Sequence, residues 1–199
     1  MVSLWALRLG PYLLFTRVLT RINDKRYLSV WQGLAWPMSI KLLVQVILQG
    51  VFQWIISFAY LIPLISNTHI PTSILVLGGS LFGIGFIIES IADHQLFYFK
   101  KAPQNKGLIC THGLWARSRH PNLFGELLIW VGIAIIAWPS TLFFIAFLSP
   151  FLLWIIMIFM TIPVTERHSL LSKKDLYAMY KKQVPNAFIP AFFRKEPAS

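Results

Sequence analysis

The stretch LLVQVILQGVFQWIISFAYLIPLI, residues 42–65, contains no charged side chain. An α-helix over this stretch is about 36 Å long, which is enough to cross the roughly 30 Å hydrocarbon core of a bilayer. Its polar side chains are few, and no alternation of polar and apolar residues indicates a strand. The stretch therefore predicts a transmembrane helix and sets the fold class.

Further apolar runs follow this helix along the chain. Residues 73–92 predict a second span, with Glu89 near its end, and residues 123–162 are too long for one helix. The sequence Trp-Pro-Ser at 138–140 breaks that long run, because proline disfavours a continuous helix. We therefore expect two spans there, four in total, preceded by a short apolar helix at the N-terminus.

Charge is scarce and its distribution is uneven. The chain has 199 residues, 56% hydrophobic and 13% charged, with 18 Lys and Arg against 7 Asp and Glu. Most of the basic residues fall in segments 17–41, 100–119 and 167–195, which are separated by even numbers of predicted crossings. By the positive-inside rule these segments face the cytoplasm. A soluble fold is not expected for a chain that is so apolar and so poor in charge. A nucleic-acid partner is not expected either, because no basic face is interleaved with aromatic residues.

No repeat, flexible linker or strand pattern divides the chain, so we expect one all-α domain over residues 1–199. The lone Cys110 excludes an internal disulfide and a cysteine-cluster metal site. After the last span, Glu166 and His168 lead into an amphipathic segment that carries Tyr177 and Tyr180. This segment is either an interfacial anchor on anionic headgroups or the wall of a pocket.

Polar groups inside the predicted spans need partners. Gln45, Gln49 and Gln53 recur every four residues and so form one stripe on a helix. Their amides either make interhelical hydrogen bonds or line a cavity. Glu89 and Asp93 share the same spacing. As carboxylates at a membrane boundary they are simply solvated, or they pair with Lys100 or Lys101, or they suit ribose hydroxyls or a proton path.

The most informative polar stretch is GLWARSRHPNLFGE, residues 113–126. If helix geometry extends through it, the spacing of Arg119, Asn122 and Glu126 places their side chains on one face. Pro121 is tolerated in a first helical turn, whose free N–H groups favour an anion, and Arg117 adds positive charge. The simpler alternative is a basic loop that sets membrane topology.

These residues resemble the signature of bacterial steroid 5-alpha-reductase-like membrane proteins, a family of unknown function. The motif is similar in superfamily members that include sterol reductases and isoprenylcysteine carboxyl methyltransferases. The resemblance extends over nearly the whole chain, through residues 5–10, 24–27, 93–95 and 166–190.

The resemblance implies an NADPH-dependent reduction of a conjugated carbon–carbon double bond in a lipid-like enone. It assigns Asp93, Arg119, Asn122 and Glu126 to the dinucleotide. It also implies a bacterial inner-membrane protein with cytoplasmic cofactor-binding loops and a substrate that enters from the membrane lipids. Further residues expected near the phosphates or the nicotinamide are Arg117, His120, His168 and Tyr180.

The sequence departs from the family in two respects. Leu123 stands where relatives usually have Tyr, and the chain is expected to lack the family's first helices, which in eukaryotic reductases carry an acidic residue that polarises the carbonyl. Tyr12 and Tyr27 are therefore our candidate proton donors, because a phenol can serve as a general acid.

Two alternatives stay open at this point. A methyltransferase of the isoprenylcysteine carboxyl type would bind S-adenosylmethionine with residues 119–121 and Glu166. A non-catalytic lipid-binding or scaffold protein would keep the fold without the reaction. Asn122 followed by Glu126 favours the reductase.

Overall fold

Helices account for the regular secondary structure in the computed structural model, which describes residues 1–15 and 35–191. No β-strand occurs within these ranges. Short 3₁₀ turns occupy Pro103–Asn105 and Gly113–Ala116, and a π-helical turn occupies Met157–Thr161. The α-helices are α1 (Val2–Leu13), α2 (Met38–Ile65), α3 (Thr72–Lys101), α4 (Pro121–Ile135), α5 (Phe143–Ile156) and α6 (Ile162–Gln183).

In the described part of the chain, three helices are long and apolar enough to cross a membrane. Two are α2 and α3, and the third is the continuous helix Phe143–Gln183, which joins α5 to α6 through the π turn. The all-helical character predicted from the sequence is thus confirmed for residues 1–15 and 35–191, and the length and apolar composition of these helices support a membrane-embedded protein. Helix α4 is also apolar, but its 15 residues extend only about 22 Å. The fourth span remains a prediction.

The break predicted at residues 138–140 is present. Helix α4 ends at Ile135 and α5 begins at Phe143, with backbone hydrogen bonds of local turns between them. The Ser140 side-chain oxygen accepts a hydrogen bond from the Leu142 N–H at 3.1 Å. The long apolar run therefore forms two helices, as expected.

The last span and the basic segment after it are one helix with a kink. At Lys174 the backbone adopts φ 31° and ψ −110°, outside helical geometry. A positive φ is uncommon for a residue with a side chain. The amphipathic segment that carries Tyr177 and Tyr180 therefore continues the membrane helix and changes direction at Lys174.

Contacts divide the chain into two units. Unit 1 comprises Met1–Gly79 and Trp130–Leu153, and unit 2 comprises Ser80–Ile129 and Trp154–Ser199. All the predicted cofactor residues belong to unit 2, whereas Tyr12 belongs to unit 1.

In unit 1, the buried Ser149 hydroxyl of α5 makes hydrogen bonds to two backbone groups of α2. Ser149 Oγ accepts from the Ala59 N–H at 3.1 Å and donates to the Ile55 carbonyl at 3.0 Å. In a regular helix these two backbone groups would bond to each other. The hydroxyl therefore joins α2 to α5 with two hydrogen bonds where water is absent.

Ser149→Ala should destabilise the protein by about 1 kcal/mol, because interhelical hydrogen bonds in membrane proteins contribute modestly. The measurement is thermal unfolding in detergent followed by circular dichroism. Ser73→Ala, at an exposed position on α3, is the matched control. Equal midpoints for the two variants would contradict a stabilising role for Ser149.

In unit 2, helices α3 and α4 touch backbone to backbone through two glycines. A Cβ atom added at Gly125 would lie 2.6 Å from the Glu89 nitrogen and 2.7 Å from the Gly85 oxygen. A Cβ added at Gly85 would lie 2.6 Å from the Gly125 oxygen. Small residues permit this approach between membrane helices. The contact brings Asp93, further along α3, beside the start of α4.

Candidate functional site

The start of α4 decides which residues of the 113–126 motif share a face. The helix begins at Pro121, so Asn122 and Glu126 lie one turn apart on it, as predicted. Arg119 precedes the helix. The expectation that all three share one helical face is therefore wrong for Arg119, because the helix does not extend through residues 117–120.

The Arg119 guanidinium is directed into the protein. Its Nε donates to Glu166 Oε1 at 2.6 Å, and both side chains are less than a tenth exposed. Its Nη1 donates to the carbonyls of Val184 and Pro185 at 2.6 and 2.7 Å. Buried charged groups require such partners. Arg119 thus ties the motif to the chain after α6.

Glu166 is the centre of a buried charge cluster. Besides Arg119, it accepts from Lys181 Nζ at 2.7 Å through its other carboxylate oxygen. His120 Nε2 lies 3.6 Å from Glu166 Oε1 and makes no hydrogen bond. With Glu166 ionised, one negative charge faces two fixed positive charges. The cluster therefore carries a net positive charge, with Arg119 and Glu166 buried and Lys181 at its solvent-exposed edge.

The chain after α6 pairs with residues 117–119 in an extended manner. The Arg119 N–H donates to the Asn186 carbonyl at 3.0 Å, and the Ala191 N–H donates to the Arg117 carbonyl at 3.1 Å. The fully buried Ser118 hydroxyl lies within hydrogen-bond distance of the carbonyls of Ala187 and Phe188. Residues 117–119 are consequently held by hydrogen bonds from both their backbone and their side chains.

Tyr180 and α3 fix the other end of the motif. The Tyr180 hydroxyl donates to the Trp115 carbonyl at 2.7 Å, and the Trp115 indole N–H donates to the Ala92 carbonyl at 3.0 Å. Gly113 has φ +61°, and a Cβ there would overlap the Gln95 side chain. Glycine is favoured at this position because other residues rarely adopt a positive φ, and a Cβ would also displace the end of the Gln95 side chain. Tyr180 therefore positions the motif through its hydroxyl.

The polar groups between α3 and α4 form a second group. Asn122 Nδ2 donates to Asp93 Oδ1 at 3.3 Å, and Asp93 is 8% exposed. Glu89, one turn before Asp93, is also buried, and Glu126 is partly buried. The alternative in which Glu89 and Asp93 are simply solvated is therefore wrong. An amide and carboxylates at one helix crossing can bind hydroxyl groups.

The remaining predicted residues occupy different surroundings. Arg117 is partly buried and donates from Nη1 to the Ala191 carbonyl at 3.2 Å. His168 is exposed, since it lies two residues from the inward-facing Glu166 on the same helix. Tyr12 lies in α1, and Tyr27 lies outside the described residues.

Sequence reasoning missed two functional side chains. Lys181 completes the Glu166 cluster although slightly more than four helical turns separate the two residues, and Ser118 binds carbonyls about seventy residues away. Neither contact has a local spacing signal, because the helix kink and the chain after α6 create both. The glycines of the α3–α4 crossing do offer such a signal, as small residues in apolar spans mark close packing.

Residues 1–184 match a family described as a protein of unknown function (DUF1295). Among curated proteins, none matches the chain. The matched range includes every candidate site residue, from Tyr12 to Tyr180.

Proposed function

The chain belongs to the DUF1295 family, which is steroid 5-alpha-reductase-like, and from this membership we propose that it is a membrane-embedded, NADPH-dependent reductase. Its substrate would be a steroid-like or other lipid enone, reduced at the conjugated carbon–carbon double bond. Bound NADPH would supply a hydride to the carbon β to the carbonyl. Three apolar helices support this proposal, because a lipid substrate can enter such a protein from the bilayer.

The hydrogen bond between the buried Asp93 and the partly buried Asn122 is the observation that carries the proposal. A carboxylate accepts hydrogen bonds from ribose hydroxyls, and an amide both donates and accepts, so the pair fits the polar part of a dinucleotide. Glu126, one turn further along α4, extends the same surface. Their position next to the rigidly held 113–120 motif gives the fixed geometry that hydride transfer requires.

The phosphates of NADPH require positive charge, and unit 2 supplies it. Within residues 80–129 and 154–191, ten Lys and Arg side chains outnumber five Asp and Glu side chains. Arg119 fits a supporting role better than a direct one, because Nε and Nη1 of its guanidinium bond within the protein. Lys100 and Lys101 at the end of α3 are exposed and Arg117 is only partly buried, so these side chains are more accessible to a phosphate than the buried Arg119.

Protonation of the α carbon completes the reduction. Hydride addition places the electron pair on the carbonyl oxygen as an enolate, and a general acid must then protonate the α carbon. We propose Tyr12 or Tyr27 for this step. The cofactor-binding surface would face the cytoplasm of a bacterial inner membrane, where NADPH is available and where the positive-inside rule places basic loops.

The methyltransferase alternative is favoured by one specific observation. Arg119, His120 and Glu166 are the residues that this alternative assigns to S-adenosylmethionine, and they meet in one buried cluster. The excess of Lys and Arg over Asp and Glu in unit 2 argues for the reductase, because positive surroundings favour anionic phosphates over a sulfonium cation.

Calorimetric titration of the detergent-purified protein with NADPH, and separately with S-adenosylmethionine, tests the proposal. Asn122→Ala and Glu126→Gln should each weaken NADPH binding about tenfold, the effect of one or two lost hydrogen bonds. Gln104→Ala and Asp175→Asn remove the same groups at exposed positions of unit 2 and should leave binding unchanged.

Three results would redirect the proposal. Preference for S-adenosylmethionine would establish the methyltransferase alternative. Binding of neither molecule would leave the non-catalytic lipid-binding protein. Equal loss of NADPH affinity in the control variants would show that binding is not located at Asn122 and Glu126.

A further inference from the structure

The kink of α6 lies at a residue that is poorly suited to it. Lys174 has φ 31° and ψ −110°, a conformation that glycine adopts far more readily than a residue with a side chain. Residues 167–183 contain no Gly, Pro or Asn, and most of them are good helix formers. The local sequence therefore favours a straight helix, and contacts elsewhere in unit 2 impose the kink.

The ion pair between Lys181 and Glu166 cannot form on a straight helix. The two residues are 15 positions apart, which is about 22 Å along a helix axis. Fully extended, the two side chains bridge only about 14 Å, including the 2.7 Å between Nζ and Oε2. A straight α6 and this ion pair therefore exclude each other.

Residues 175–191, which we call the strap, are held against residues 115–119 by further hydrogen bonds. The Tyr180 hydroxyl donates to the Trp115 carbonyl at 2.7 Å. Arg119 Nη1 donates to two carbonyls of the strap at 2.6 and 2.7 Å, those of Val184 and Pro185. These contacts offset the backbone strain of the kink, and they are lost if the helix straightens.

The opposition between local strain and distant contacts defines two states of the strap. We infer that residues 175–191 form a hinged strap, which closes on residues 115–119 when α6 kinks at Lys174 and releases them when α6 straightens. Release leaves Arg119 Nη1 without its two carbonyl acceptors. The strap therefore controls whether the guanidinium is engaged within the protein or available to a bound anion.

Nitroxide labels on either side of the kink test this inference. In a Cys110→Ser background, the labels are attached at Arg167→Cys and Lys182→Cys, which are both exposed positions. They lie seven and eight residues from Lys174, as the two ion-paired residues also do. A straight helix separates their α-carbons by about 22 Å, and the kink brings them closer. Electron paramagnetic resonance of the detergent-purified protein should show the shorter distance as the main population.

Removal of one strap contact should increase the population at 22 Å. Tyr180→Phe keeps the ring and removes the hydroxyl that donates to the Trp115 carbonyl, so we expect about a tenfold increase. Tyr98→Phe changes an exposed tyrosine of α3 in the same way and should leave the populations unchanged. Far-ultraviolet circular dichroism of the two variants should be equal, because a straight α6 keeps its helical residues.

Glycine at the kink should have the opposite effect. Added to Tyr180→Phe, the substitution Lys174→Gly should lower the 22 Å population about tenfold, because glycine has no Cβ to strain a positive φ. Asp175→Gly, at the adjacent exposed position, should not lower it.

The inference is overturned if Tyr180→Phe shows no 22 Å distance, if Tyr98→Phe shows as much of it, or if Lys174→Gly does not reduce it. A broad range of distances together with a loss of helical circular dichroism would also overturn it, since the strap would then unfold instead of turning at a hinge.

Discussion

Arg119→Ala should lower the free energy of unfolding by about 3–5 kcal/mol, the cost of breaking a buried ion pair. The substitution removes one of the two cations that hold the Glu166 carboxylate, and it leaves the carbonyls of Val184 and Pro185 without their donor. The free energy of unfolding of Arg119→Lys should lie between that of Arg119→Ala and that of the natural protein. The lysine ammonium keeps the positive charge but cannot reproduce the planar arrangement of donors in the guanidinium.

Cys110 provides the readout for this experiment. Its side chain is buried, and burial raises the pKa of the thiol, so a thiol-reactive fluorophore labels it slowly until unit 2 unfolds. Arg167→Ala removes an exposed arginine next to Glu166 and is the matched control. A labelling midpoint for Arg119→Ala as high as that of Arg167→Ala would refute the stabilising role of the ion pair.

The double variant Arg119→Met with Glu166→Leu should be less destabilised than the sum of its single changes, since apolar residues of similar volume can replace a buried pair. Lys181 does not prevent this rescue, because its side chain is 39% exposed and can be hydrated. A strictly additive double variant would mean that the two side chains act independently.

Gly125→Val should destabilise unit 2 by about 3 kcal/mol or more, because the valine side chain would overlap backbone atoms of α3. No change of side-chain rotamer relieves an overlap with backbone. The new side chain would collide with Glu89 and Gly85 across the helix crossing. Separation of α3 from α4 would also disturb the hydrogen bond between Asp93 and Asn122. Loss of thermal stability and loss of NADPH binding should therefore appear together.

Gly83→Val is the matched control, since nothing lies within 4 Å of a Cβ at Gly83 on the same helix α3. Its midpoint should stay near that of the natural protein, as valine is a slightly better helix former than glycine. Equal destabilisation by the two substitutions would show that helix α3 itself, and not the crossing with α4, is sensitive.

The sequence anticipated the site only in part. It selected Asp93 and Asn122, which meet at the crossing of α3 and α4, and Glu126, which lies one turn further along α4. It also selected Arg119, but it did not indicate that the guanidinium bonds to Glu166, 47 residues further along the chain. The spacing of residues along the sequence predicts which side chains share a helix face, but it does not predict which distant carboxylate an arginine contacts.

By itself the sequence determined the helical elements. Apolar runs such as residues 42–65 and 73–92 must satisfy every backbone N–H and C=O within the run, and in lipid a helix does this with local hydrogen bonds alone. The break at residues 138–140 also has a local cause, because proline has no backbone N–H to donate to a helical hydrogen bond.

The tertiary structure alone decided which polar groups meet. The kink at Lys174 brings Lys181 to Glu166, and the chain after α6 returns to bind residues 117–119. The glycine contact between α3 and α4 brings Asp93 to Asn122. Such contacts join residues far apart in the chain, and their energies depend on burial and distance, which exist only after the helices have packed.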